Sequence, residues 1–283
     1  MRRLLVLAAA SSVVGICGAL PRNATQPGIP SYTPTVTAPA TVPTARASLV
    51  GVKAPAPAAE KASGPAALVQ SALDALTPLV PKTSSPLALR YAFEAYYHYR
   101  AAHPEKVRNP YLYFVDYGLD NRTPRGYVFD MVQQKIVDGP FNVAHGRGSS
   151  SGSNGVPTRF SNRDGSAASS LGLFLTQESY DFTGHSGGST YHSIGLRLQG
   201  LSGRFNDAAR ARHVVVHGAP YVTPGRAGRS EGCPAMSRSR AERLIPEIDN
   251  GGLVFLFSPN DTTWLDADPW VHRSLAQAEG AAG

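Results

Sequence analysis

From residue 111 onward the apolar residues fall in short runs, 111–117, 127–132, 135–137, 141–144, 171–176, 194–198, 214–216 and 253–257. Stretches rich in Gly, Ser, Asn and Pro separate them. Runs of this length that alternate or stay apolar read as strands, half-buried or fully buried. A chain punctuated this way builds its core by pairing short strands through loops. The expected fold is therefore mainly β, with a sandwich or barrel-like core. The longest interruption, 145–170, is packed with Ser, Gly and Asn, and so long a loop inside a compact domain reads as a rim or lid over a site.

Upstream the period becomes helical. Ser63 reads as the cap and Pro65 as the first residue of one helix, which carries Leu68, Leu73 and Leu76 before Pro78. Ser84 or Ser85 caps a second, started by Pro86 and closed by Pro104. Its stripe Leu89, Phe93, Tyr96 and Tyr97 recurs at helical spacing and reads as core. The organisation expected is a helical preface over 63–105, a catalytic domain over 106–260 and a tail over 261–283. At 283 residues with 42% hydrophobic content, the chain supports one sizeable core.

The first part of the chain gives an address. Arg2 and Arg3 precede an apolar run over 4–16, and small residues near Gly18 and Ala19 suit cleavage, so 1–19 reads as a signal peptide. That run is shorter than the ~20 residues a spanning helix needs, so no stable membrane span is expected. Ile16 is too bulky for a lipidation signal at Cys17, so export to the periplasm or cell envelope is expected without a lipid anchor. Residues 20–62 are Pro, Ala and Thr with few large apolar side chains, a disordered linker by composition.

Cysteine usage then becomes informative. The chain has two, Cys17 and Cys233, and the first leaves with the signal peptide. A single thiol in an exported protein has no internal partner and is open to oxidation, so a chemical role is expected of it. Its setting fits one. The run 214–216 ends at His217 and Gly218, and Cys233 follows sixteen residues after His217, between Gly232 and Pro234. A strand-end imidazole can hold a neighbouring thiol as the nucleophilic thiolate. Glycine at 232 lets backbone N–H groups approach a substrate carbonyl. The residues alone thus point to an exported Cys–His acyl transferase or hydrolase.

Other classes fit less well. A formal net charge of +7 suits an anionic partner, yet the arginines are scattered and no nucleic-acid-binding signature is present. Histidines 145, 185, 192, 213 and 217 form no H-x-x-x-H or H-E-x-x-H helix and have no acidic partner at ligand spacing, so no metal or other cofactor is expected. There is no G-x-S-x-G elbow. Histidine before cysteine also departs from papain-like order.

The ordered set HGAPY, then GRSEGCPA, resembles the active-site signature of the YkuD-type L,D-transpeptidases, in a divergent branch of the murein L,D-transpeptidase catalytic domain. The likeness extends through VAHGRGSSSGSNGVPTRFSN, SSLGLFLT, LRLQGL and NGGLVFLFSP, over roughly residues 110–258. Glu231 stands where most members have a second histidine. The resemblance implies attack by Cys233 on peptidoglycan stem peptides, with His217 as base and a carbonyl near Gly218 orienting its ring. It implies an oxyanion hole from Gly232, Cys233 and Glu231, substrate contacts from Ser230, Arg229 and Tyr221, and carbapenem β-lactams as covalent inhibitors. Hydrolysis by the same site, as an L,D-carboxypeptidase or endopeptidase, stays open. So do sortase-like protein anchoring and a non-catalytic wall-binding module.

Overall fold

The computed structural model describes residues 64–150 and 155–271. The readings made for the signal peptide, for the whole linker over 20–62, for the Ser63 cap and for the end of the tail lie outside those residues. Helix α1 spans Pro65–Leu76 and α2 spans Ala88–Ala102. Strands β1 (Tyr111–Asp116), β2 (Gly126–Asp130), β3 (Lys135–Phe141) and β4 (His145–Gly146) follow. A long hairpin comes next, β5 (Gly172–Ser186) and β6 (Ser189–Gly200). After it come β7 (Val215–Gly218), β8 (Val222–Thr223), β9 (Arg226–Ala227), β10 (Arg229–Ser230) and β11 (Ala235–Met236). Helix α3 (Arg238–Ile248), β12 (Leu253–Phe257) and the short α4 (Thr262–Leu265) complete the described chain.

The mainly β expectation holds. An eight-stranded sheet runs β11-β7-β6-β5-β12-β1-β2-β3, and β4 pairs separately with β10. Strands β1 and β12 lie inside it, paired parallel from Leu112 opposite Leu253 to Asp116 opposite Phe257. Both are buried on both faces, which is why both read as continuous apolar runs. The two helices in front of the sheet share its core. Phe93 of α2 is fully buried and meets Phe129 of β2 edge-on, with ring centroids 5.5 Å apart. Burying a phenylalanine side chain contributes about 2–3 kcal/mol.

Several local readings change. The first helix has Gly64 as its N-cap, with no side-chain cap. The second starts later than Pro86, because Ser84 is engaged elsewhere: its N–H and hydroxyl both bond the Asp116 carboxylate, at 2.7 and 2.5 Å. The separate runs at 135–137 and 141–144 contribute to one strand, β3, that ends at Phe141. The two short strands expected at 171–176 and 194–198 are the inner ends of the long hairpin. Its turn is Gly187–Gly188, both at positive φ (58° and 80°), which glycine adopts without a Cβ penalty. The hairpin matters for the site, because its outer half carries Phe182 and Tyr191.

Candidate active site

Strand β7 carries His217 into the site. Its neighbours β6 and β11 are antiparallel and parallel to it, with Gly195 and Ala235 opposite His217. Continuing the parallel register two residues back sets Cys233 against Val215. The thiol lies there: Val215 N–H donates to Sγ at 3.5 Å, and Sγ–H donates to the His213 carbonyl at 3.7 Å. His217 on β7 and Cys233 just ahead of β11, sixteen residues apart in the chain, therefore lie side by side, two residues apart along β7.

The ring of His217 is oriented by its own backbone. Nδ1 lies 3.1 Å from the Gly218 carbonyl, which can only accept, so Nδ1 carries the proton and Nε2 keeps its lone pair. Phe182 stacks on the imidazole with centroids 4.3 Å apart and planes at 23°, and Tyr221 meets it edge-on at 6.5 Å. His217 is only 3% exposed, and this burial pulls its pKa down to about 4. A side chain at Gly218 has no room: a Cβ would stand 2.3 Å from Ser193 Oγ and 2.9 Å from the Arg238 Cα.

The thiol is half-buried, and burial raises its pKa; the Val215 N–H and the Arg212 charge act against that rise, and Glu231 adds to it. Imidazole and thiol are thus both neutral near pH 7. This differs from the resting thiolate expected from a His–Cys pair. Among the described residues no hydrogen bond joins Sγ to the imidazole. A neutral pair acts by base-assisted attack, with the proton moving as the bond forms. Hydrogen bonds of this kind commonly tighten only when substrate is bound.

The turn that presents Cys233 is held from three sides. Gly232 has φ 130°, and a Cβ there would approach the Ala168 carbonyl at 2.9 Å, so glycine is required. The Ser230 hydroxyl donates to the Cys233 carbonyl at 2.6 Å and accepts the Gly232 N–H at 3.2 Å. Ser169 Oγ donates to the Gly232 carbonyl at 2.9 Å and accepts the Gly146 N–H at 3.0 Å. With its N–H taken by Ser230, Gly232 is not a free oxyanion donor in this state. The N–H of Cys233 makes no backbone hydrogen bond among the described residues.

The remaining predicted residues are placed as follows. Ser230 is 7% exposed and braces the turn from within. Glu231 points to solvent and pairs with Arg147 at 2.7 Å, both side chains mostly exposed. Such a pair contributes little to stability. Arg229 lies on β10 opposite His145 and donates to the Ser150 carbonyl at 3.3 Å. Tyr221 joins Tyr191 and Phe182 in the aromatic wall beside His217.

Beneath the turn lies a group that pattern reading did not single out. Arg125 is fully buried and donates to the Val143 and Leu119 carbonyls and, at 2.8 Å, to His145 Nδ1. His145 Nε2–H is left to donate to Ser150 Oγ at 3.1 Å. Burial and the nearby Arg125 charge pull the His145 pKa down to about 3. With Nε2 protonated, His145 cannot serve Ser150 as a base, and the cluster anchors β4 under β10.

A model of the L,D-transpeptidase catalytic domain family matches residues 81–257, well over half of the chain. The chain belongs to that family. The match spans β1 to β12 and takes in every residue of the Cys233–His217 site. No curated protein sequence matches the chain. Among solved structures, it is similar to an L,D-transpeptidase from Mycobacterium smegmatis, at 13% identity over 52% of this chain and 58% of that one, TM-score 0.32. An L,D-transpeptidase from Mycobacterium tuberculosis H37Rv gives 17% identity over 52% and 57%, TM-score 0.30. One from Stackebrandtia nassauensis gives 16% over 60% and 68%, TM-score 0.32. The chain spans less than two thirds of the length of the first two of these structures. No described helix is long and apolar enough to cross a membrane.

Two features of the site escaped the sequence reading of this family member. Arg212 lies just ahead of the β7 run, but scattered arginines gave it no distinguishing pattern. Phe182 lies in a stretch whose exposed polar residues concealed the strand. The Gly187–Gly188 pair was the one available signal for the hairpin that places it.

Proposed function

We propose that the protein is an exported L,D-transpeptidase that transfers an acyl group of a peptidoglycan stem peptide through a thioester on Cys233. The observation that carries this reading is the placement of the Cys233 thiol against β7, two residues from a neutral His217 with Nε2 unprotonated, in a chain of this family.

Cys233 Sγ attacks the carbonyl carbon of the amide between the third and fourth stem residues. Its proton passes to His217 Nε2 as the C–S bond forms. The Cys233 N–H donates to the developing oxyanion. Collapse of the intermediate breaks the C–N bond, and His217 returns the proton to the departing amine of D-alanine. The acceptor amine then attacks the thioester, loses its proton to Nε2, and the thiol regains that proton as the new amide forms.

Buried neutrality suits both steps. A base with its pKa down near 4 stays unprotonated across the working range, so the imidazole is always ready to accept. Tyr221, Tyr191 and Phe182 wall the imidazole against water, which favours an amine acceptor over hydrolysis. Arg229 is the candidate partner for a stem-peptide carboxylate, being exposed on β10 beside the turn.

The test is mass spectrometry of tetrapeptide wall fragments incubated with the purified protein. Release of D-alanine with formation of a cross-linked or amine-exchanged product is expected, and Cys233→Ala should abolish both. Tripeptide alone would identify a carboxypeptidase. Tight binding to wall sacs with no turnover in wild type would identify a binding module.

A further inference from the structure

Arg212 is half-buried, and its guanidinium is unusually held. Nη1 donates to the Ser161 carbonyl at 2.8 Å and Ser170 Oγ at 2.7 Å, and Nη2 to Ser166 Oγ at 3.1 Å and the Ala168 carbonyl at 2.9 Å. All of these acceptors are neutral oxygens; the exposed Asp164 carboxylate of the same segment acts on Arg212 through space, without an ion pair among the described residues. Hydrogen bonds to carbonyls and hydroxyls fix the fork without cancelling its charge. The charge lies at the nucleophile turn: a Cβ built on Gly232 would stand 3.7 Å from Nη2. The next residue, His213, has φ 55° and presents its carbonyl to Sγ, and Val215 presents its N–H. Arginine and thiol thus meet at the same turn, Arg212 from just ahead of β7 and Cys233 from just ahead of β11.

The site otherwise disfavours negative charge at Cys233. The half-buried thiol is pushed up by desolvation and by Glu231, whose side chain is tied outward by Arg147. The other groups in reach are Tyr117 just after β1, Tyr180 of β5, Tyr191 of β6 and Tyr221, each held above the ordinary tyrosine pKa by burial and therefore neutral. On β7, His217 is neutral at rest. Nothing in that set except Arg212 and the Val215 N–H supports the charge that must appear when Sγ attacks.

Resting on the acyl-transfer reading above, we propose that Arg212 is a positioning residue that supplies the fixed positive charge supporting negative charge on Cys233 Sγ during attack. The segment 161–170 acts as its socket, so ordering of that segment and charging of the nucleophile are linked through one side chain. The groups that hold the fork are hydroxyls and carbonyls, while Asp164 of the same segment is exposed and makes no hydrogen bond to the guanidinium among the described residues.

The experiment is the rate of Cys233 alkylation by iodoacetamide from pH 6 to 10 in wild type, R212K and R212M, with melting temperatures alongside. R212M should move the inflection upward by about one pH unit and slow alkylation below it about tenfold. R212K, which keeps the charge but loses the fork, should stay near the wild-type inflection. A wild-type profile in folded R212M overturns the proposal. So does an R212K shifted as far as R212M, since that marks loss of the strap rather than of charge. Should R212M not fold, R212Q keeps an amide donor for the Ser161 and Ala168 carbonyls and is read the same way. A wild-type enzyme that releases no D-alanine would sink the functional reading while leaving the alkylation profiles, and so the role of Arg212, separately readable.

Discussion

The hydroxyl of Ser230 donates to the backbone carbonyl of Cys233 at 2.6 Å, closing the nucleophile turn on itself. The sequence pattern suggested a substrate contact at Ser230; the side chain is buried and turned inward instead. Ser230→Ala should cost about 1–2 kcal/mol of stability, because it also strips the Gly232 N–H of its acceptor. Turnover should fall by more than the small loss of folded protein explains, and Ser230→Thr should restore most of it. Urea unfolding together with initial rates checks both. Equal activity in the alanine variant would show that the turn holds its shape without the hydroxyl.

Phe182 stacks on His217 and excludes water from one face of the ring. Phe182→Ala should raise the imidazole pKa from about 4 toward the ordinary 6.5, since desolvation is the main cause of its depression. An NMR titration of the His217 ring protons reads this directly. The acid limb of the rate profile should move up with it, because a protonated imidazole cannot accept the thiol proton. An unchanged titration would mean that the strand, not the phenylalanine, keeps the ring dry.

Strands β1, β7 and β12 could be read from their apolar runs, because each lies where the sheet is covered and its side chains must be hydrophobic. The outer hairpin could not. Asp181, His185, Thr190 and His192 face solvent there, and backbone pairing alone continues the ladder beyond the core. Helix α3 was also missed: Ala241, Leu244, Ile245 and Ile248 follow helical spacing, but Pro246 within it reads as a breaker. His217 was legible at the end of a strand-like run, and Cys233 as the single cysteine outside the signal peptide, beside a glycine. Ser169, Phe182 and Arg212 reach the site from three separate segments, and no local pattern marks residues that meet only through long-range pairing.

Acid should destabilise the fold well before its carboxylates protonate. His145 and His217 have folded pKa values of about 3 and about 4, below the unfolded value of about 6.5. Between pH 6.5 and 4 the unfolded chain therefore binds more protons than the folded one, so stability is fully present above pH 6.5 and is lost as pH falls. Each histidine removes about 3 kcal/mol by pH 4. Asp116 acts in the opposite sense, its buried carboxyl being held above the ordinary value. Denaturant midpoints from pH 7.5 to 4 should decline, less steeply in His217→Gln. A flat profile would contradict buried neutral histidines.

A carbapenem should acylate the protein once per chain, by opening of the β-lactam ring onto Cys233. The reaction should be slow, because the thiol is neutral at rest. Intact mass should rise by the whole drug, and Cys233→Ala should show no gain. Wild type that stays unmodified over hours at millimolar drug would count against an acylable nucleophile at this site.

The most direct measurement of the account is the intact mass of the protein after brief mixing with a tetrapeptide muropeptide and acid quench. The account predicts a species heavier by the muropeptide minus D-alanine, with the gain mapping to the peptide that contains Cys233. It also predicts collapse of that species on adding an acceptor amine, in step with appearance of the amide product. D-alanine release in folded Cys233→Ala, or product formation in wild type with no mass gain on Cys233, would contradict it.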